Sequence, residues 1–284
     1  PMGSIFSRLL FAIKYQEQRI VLSNLINSDS KILFERHPRD RVAKVAPWLT
    51  LDGDPYPAII DGKILWIIDG YTTSAGYPNS RKVNLANTAD ALTTRSNAVS
   101  SLENRNVNYI RNSVKATVDA YDGTVSLYQW DEKDPVLATW SKAFPGSVKP
   151  KSEISPDLLS HIRYPEDMFR VQRDILSAYH VKTADAFYGG QDFWRVPLDP
   201  SSFGSNSGNQ PPYYLTMQIP GQKKPTFSLY TPFVPRGGRE NLTALAVVNS
   251  DARDDYGKIT VLQLPRSTNI AGPSQVSSNF EAKP

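Results

Sequence analysis

Residues 54–78 read DPYPAIIDGKILWIIDGYTTSAGYP, two apolar, β-branched-rich runs joined by Asp61-Gly62. Both central residues of a type I′ turn need φ above zero, which Asp and Gly tolerate best, so the pair predicts a β-hairpin. Its strands are residues 56–60 and 63–68, with Asp69-Gly70 following. The run 64–68 is apolar at every position, the pattern of a strand covered on both faces inside a sheet. Its centre is therefore expected to be structural. Any functional contact in this stretch is expected at the other end, from Tyr71 to Tyr77.

Upstream, the spacing of Phe6, Leu9, Leu10, Ile13, Ile20, Val21 and Leu25 predicts a helix over 5–26 with one buried stripe. A second helix is expected from about Lys31 to Pro47, with Pro38 at a first-turn position after a break at His37. Downstream, 79–106 is rich in Asn, Ser, Thr and Arg and reads as a long mobile surface loop, with a short helix near 89–92. Residues 107–130 hold two alternating strands around Asp122-Gly123, a second hairpin of the same type. Residues 135–140 suit a short strand or helix, and 149–155 a linker.

Ser155-Pro156-Asp157 and Tyr164-Pro165-Glu166-Asp167 are helix starts, with Pro first and acids in the first turn. In the second of these helices Met168, Gln172, Ile175, Leu176 and Tyr179 form the inward stripe. Glu166 and Arg170 pair on its outer face. After a loop at 198–212, residues 213–219, 227–234, 242–249 and 258–264 read as four strands of an antiparallel meander. The tail after 265 is polar and expected to fray.

This order predicts an α+β fold, antiparallel sheets with packed helix pairs. Pro55-Tyr56 and Pro212-Tyr213 each open a first strand, and Tyr71-Thr72 and Tyr230-Thr231 each end a second one. These echoes suggest two similar αα-ββββ halves forming a pseudo-repeat, residues 5–148 and 149–284. Pro1-Met2-Gly3-Ser4 reads as a cloning remnant and is set aside.

The chain of 284 residues is long enough for a sizeable core, and its lack of cysteine excludes disulfides, thiolate metal sites and a Cys nucleophile. The net charge of +4 is carried by residues 1–48, where eight basic side chains face four acidic ones. Interspersed charges of this kind read as solvated helix faces, and nucleic acid is not an expected partner.

Catalytic signatures are missing. No glycine loop has phosphate-cradling spacing, and Gly204-Ser205-Asn206-Ser207-Gly208 has Asn where a nucleophile elbow needs a nucleophile. His37, His161 and His180 lack paired-ligand spacing; the latter two read as helix-end residues. Asp251, Asp254 and Asp255 lack a full calcium-loop pattern and read as a solvated turn. No catalytic residue, metal or cofactor is expected. Tyr71, Tyr77, Arg111, Trp130 and Arg239 are the candidates for a ligand or partner surface.

Several strings, among them RLLFAIKYQEQRIVLSN (8–24), the 54–78 stretch, NYIRNSVKATVDAYDGTVSLY (108–128) and RYPEDMFRVQ (163–172), resemble an uncharacterised bacterial family. This is uncharacterised protein family 0182, the actinobacterial-type large multi-pass membrane proteins. The resemblance implies a soluble domain on the extracytoplasmic side of the cell membrane, following a block of membrane spans. The basic N-terminal helix would then lie near the membrane surface, with envelope lipid or membrane proteins as partners. The family brings no catalytic residues. The expected role is a ligand-binding or protein-interaction module, and the alternative is an enzyme acting on an envelope lipid, glycan or peptide.

Overall fold

The structure is a computed structural model that describes residues 2–27, 29–32, 34–88, 105–201, 208–253, 255–265 and 267–282. In chain order, α1 (Ile5–Tyr15), α2 (Arg19–Leu22) and α3 (Pro38–Val45) come first. Strands β1 (Thr50–Leu51), β2 (Tyr56–Ile60) and β3 (Lys63–Ser74) follow. Next is a small ribbon of β4 (Val83–Asn84) and β5 (Asn106–Val107), with α4 (Leu85–Thr88) between. The first half ends with β6 (Tyr109–Asp119), β7 (Val125–Gln129) and α5 (Pro135–Ala143). Helices α6 (Pro156–His161), α7 (Glu166–Tyr179) and α8 (Ala184–Tyr188) lead into the second. Strands β8 (Trp194–Arg195), β9 (Tyr213–Met217), β10 (Thr226–Pro235), β11 (Ala244–Asn249) and β12 (Ile259–Gln263) precede α9 (Pro273–Glu281).

The fold is α+β, built on two five-stranded antiparallel sheets. In the first, β2 and β1 share one side of β3, and β6 then β7 continue on the other. In the second, β9 and β8 share one side of β10, and β11 then β12 continue on the other. The two sheets thus have one connectivity. A pseudo-repeat in the full sense, with superposable halves, is a further step that connectivity alone does not make.

The opening hairpin forms as its turn residues require. Asp61 (φ 49°) and Gly62 (φ 78°) both lie in the left-handed region, and Ile60 faces Lys63. Beyond that point the structure corrects the reading. Strand β3 runs on through Asp69-Gly70 to Ser74, because Gly70 is there for closeness and not for a turn. A Cβ on it would stand 3.0 Å from Leu49 Cδ1 and 3.3 Å from Val114 Cβ. Ile64, near the turn, is 55% exposed, whereas burial is complete from Ile67 through Thr72. The covering layers lie over the middle and far end of the strand. One face packs Ile68, Val114, Ala116 and Leu127 against Val42 of α3 and Leu137 of α5. The other packs Ile67 against Trp130, Leu158 and Ile162, with Tyr256 from the second half beside them.

The Asp122-Gly123 connection is a longer loop, not a second type I′ turn. Only Gly123 has positive φ, and the Asp119 carboxylate accepts from the amides of Tyr121 and Asp122. At the N-terminus, Gln16 in a left-handed conformation (φ 52°) ends α1, so the expected 5–26 helix breaks in two. The next helix begins only at Pro38. Met2 is buried and Ser4 caps α1 through the Ser7 amide, so residues 2–4 take part in the fold.

Helix α7 also differs from its expected stripe. Asp167, Met168, Phe169, Arg170, Val171 and Arg173 are buried, and of the expected stripe Ile175 and Tyr179 are exposed. The Glu166–Arg170 pair forms, but inside, because α7 is wedged between the halves. Its Met168, Phe169 and Val171 pack on Leu229, Phe233 and Ala246 of the second sheet and join Tyr71, Leu85 and Val107 of the first half. Residues 135–140 belong to a helix, and the tail carries α9, tied back by Leu242 N–H on Ile270 O (2.8 Å). The short helix expected at 89–92 lies outside the described residues.

Candidate functional site

Where α7 and the β1–β2 connection meet β3 and β6, ionisable side chains are brought together in the interior. The irregularity in β6 makes this possible. Gly70 faces Val114 and Tyr71 faces Asn112, so Ser113 is the extra residue of a bulge. Asn112 and Lys115, three apart, then reach the same face, and both bond Asp69 Oδ1, Asn112 at 2.7 Å. Lys115 Nζ also donates to Tyr256 Oη (2.9 Å) and to Arg163 O (3.2 Å), above the ring of Trp130. Lys115 is 1% exposed and Asp69 3%.

Asp52 and Asp167 form a reciprocal clamp beside this pair. Gly53 N–H donates to Asp167 Oδ2 (2.9 Å), and Asp167 N–H to Asp52 Oδ2 (3.3 Å). Tyr71 Oη donates to the same Asp52 oxygen, and Asp54 N–H to the other (2.9 Å). Burial pushes the Asp52 carboxyl well above its ordinary value, and the neighbouring Asp167 and Asp69 push it further. Tyr71 is raised too, by burial and then by Asp52. Burial lowers the Lys115 ammonium, with Asp69 opposing. Arg163 is held between the rings of Tyr56 (3.8 Å) and Tyr214 (4.7 Å) and bonds Asp54 (2.6 Å).

Perturbed, clustered ionisable groups occur both at functional sites and in structural networks, and access decides between the two. Asp52, Asp69, Tyr71, Lys115 and Asp167 are enclosed, their partners are other protein groups, and none of them lines a groove described here. The cluster joins the halves.

An open groove of about 490 Å³ lies nearby between the halves. Val83, Val107 and Ile110 come from the first half, and Val171, Ile175 and Tyr179 from α7. Tyr109 lines it, with Asn79, Ser80, Arg81, Asn108 and Asp174 as the polar groups. Mostly apolar walls with a few polar groups, at this volume, are the usual makings of a small-molecule or side-chain pocket. Tyr77 stacks on Tyr109 at 5.8 Å, and Asn108 bonds its backbone on both sides. The Tyr109 hydroxyl donates to Asp134, which also accepts from Thr72 and Ser113, each at 2.6 Å. Burial favours the neutral acid at Asp134, but the bonds from Ser113, Thr72 and Tyr109 outweigh it and hold the carboxyl below its ordinary value. Tyr109 is pushed up to about 12 by burial and by Asp134.

The sequence-derived surface residues divide. Tyr77 and Arg111 come together around Tyr109, with Arg111 paired to Asp131 at 2.8 Å. Arg239 is exposed at a different groove, of about 420 Å³, with Arg236 and Trp194. Tyr71 and Trp130 cannot present a surface: they are 0% and 8% exposed, Tyr71 on Asp52 and Trp130 against Tyr256. Tyr109, Ile110 and the α7 residues were missed, since no local signal says that a strand end and a distant helix will face each other. His161 and His180 do sit at helix ends on backbone carbonyls. Asp251 pairs with Arg253 and Asp255 with Lys258, while Asp254 and Asn206 lie outside the described residues. Among the described residues no cluster suits a metal ion, and no helix is long and apolar enough to cross a membrane.

No solved structure matches the chain. It is 57% identical to a UPF0182 protein of Thermobifida fusca, with 99% of this chain aligned to 28% of that protein. A Saccharopolyspora erythraea relative is 55% identical, with 100% of this chain on 29% of its length. One from Bifidobacterium adolescentis is 51% identical, with 99% on 27%. The chain thus spans under a third of the curated relatives it matches. The model of the uncharacterised protein family UPF0182 matches residues 1–284, and the chain belongs to that family.

Proposed function

We propose that this chain is a ligand- or partner-binding module, lying on the extracytoplasmic side of a multi-pass cell-membrane protein. The observation that carries the binding reading is the groove between the halves, whose apolar walls and exposed Ile175 and Tyr179 stand open. The share of the relatives that this chain covers supports its being one domain of a larger protein. The membrane setting rests on the family resemblance. An apolar ligand with one polar end, or the apolar side chains of a partner segment, would suit the lining. Nothing in the groove favours the enzyme alternative, since Asp52, the enclosed acid with a raised pKa, lies elsewhere.

The chain has no cysteine, so single cysteines report cleanly. In a cysteine-free version of the full-length protein, Tyr121→Cys, at a fully exposed loop, should react with a membrane-impermeant maleimide on intact cells. Labelling only after lysis would overturn the sidedness. Ile175→Cys should react at least ~10-fold more slowly in native membranes than in the purified chain, because an occupant shields it. Equal rates would overturn the binding reading.

A further inference from the structure

Surface helices ordinarily turn their apolar stripe to the core. Helix α1 does the reverse. Its buried residue is Ala12, while Ile5, Phe6, Leu9, Leu10 and Ile13 are 68%, 66%, 47%, 53% and 66% exposed. At 100° per residue these five fill an arc of about 140° on one side of the helix. Lys14 falls about 40° beyond one edge of that arc; on the other, buried Ala12 falls about 20° beyond, and half-buried Arg8, about 60° beyond, donates Nε to Met2 O at 3.0 Å. The helix carries no acid. Past its end, Leu22 and Leu25 are also exposed, at 74% and 91%.

We infer that α1 lies in the interface of an anionic lipid bilayer, with this arc in the acyl boundary and Lys14 at headgroup level. An exposed apolar arc with an exposed cation at its edge is the make-up of an interfacial helix, and a basic side chain reaches outward to headgroups while its stem covers hydrocarbon. A second copy fits less well. Two such arcs face to face would bring the Lys14 edges of two helices together with no acid in either helix. Glu35, close to Lys14, is paired with Lys44, and anionic headgroups supply the further countercharge. This inference rests on the proposed membrane setting, and it goes further by assigning the contact to the apolar face, not to a basic one.

The test uses the 284-residue chain with vesicles of phosphatidylglycerol and phosphatidylcholine, and with phosphatidylcholine alone. Co-sedimentation should be strong on the mixed vesicles and weaken in high salt. Leu10→Ser with Ile13→Ser should cut the partition coefficient by at least ~10-fold with an unchanged circular dichroism spectrum. Phe6→Trp should shift its fluorescence to the blue and be quenched by brominated acyl chains. Absence of binding to either vesicle, or binding indifferent to the double substitution, overturns the inference. So does a lipid-free dimer that the double substitution dissociates, which would make a second copy the occupant. These failures leave the sidedness reading untouched, because the cysteine labelling measures it separately.

Discussion

At the scale of single residues, the interior of this protein is governed by charge. Lys115 and Asp69 are cross-strand partners that survive burial because each has further hydrogen bonds, the condition under which a buried pair is tolerated. Asp52 has no cationic partner of this kind among the contacts described. Burial and two nearby carboxylates raise it, so the folded state holds a proton that the unfolded state releases near its ordinary value of 3.8. Its stabilising share is full below that value and is lost as pH rises through the folded-state pKa, with a slope of at most about 1.4 kcal/mol per pH unit. Asp52→Asn removes this dependence. The urea midpoint of the variant relative to the parent should therefore climb as pH rises from 4 toward neutrality; a flat or falling difference would show that Asp52 is ionised in the fold. None of this was legible in the sequence. Asp52, Asp69 and Asp167 are ordinary hydrophilic letters, 17 and 98 positions apart along the chain, and only the pairing of β1 with β3 and the placing of α7 make them neighbours.

At the scale of elements, legibility followed the locality of the signal. The Asp61-Gly62 hairpin depends on the backbone preferences of two adjacent residues, and it formed with the register those preferences imply. Asp69-Gly70 shows the same two letters and makes no turn, since its glycine answers to Leu49 and Val114 across the sheet. The α1 stripe was legible as a period and misread as to direction, because a 3.6-residue period says that a helix has an apolar face and not what covers it. The two glycines separate experimentally. Gly62→Ala meets no neighbouring atom but keeps a left-handed φ, and should cost about 1–2 kcal/mol. Gly70→Ala crowds Leu49 and should cost about 1–3 kcal/mol. In a Leu49→Ala background the Gly70 cost should shrink, whereas the Gly62 cost should stay as it was. Equal costs in both backgrounds would mean that Gly70 is needed for its backbone and not for its closeness.

At the scale of the whole molecule, the question is whether two sheets with one connectivity behave as two units. Sequence echoes at the strand starts suggested the division, and the two sheets share one strand order. The packing argues against independence. The second half's core is completed by Tyr71, Leu85 and Val107 of the first, and the first half's buried Lys115 by Tyr256 of the second. The Asp52–Asp167 clamp spans the same junction. Opening either half alone would expose apolar surface and strand buried charges, and the latter alone costs several kcal/mol. A single cooperative transition follows. In native-state hydrogen exchange, the slowest amides of β6 and β10 should share one opening free energy and one denaturant slope, within about 1 kcal/mol. If β10 opened at clearly lower free energy than β6, the halves would be separate folding units, and the buried cluster would be a contact between two domains in place of a core common to both.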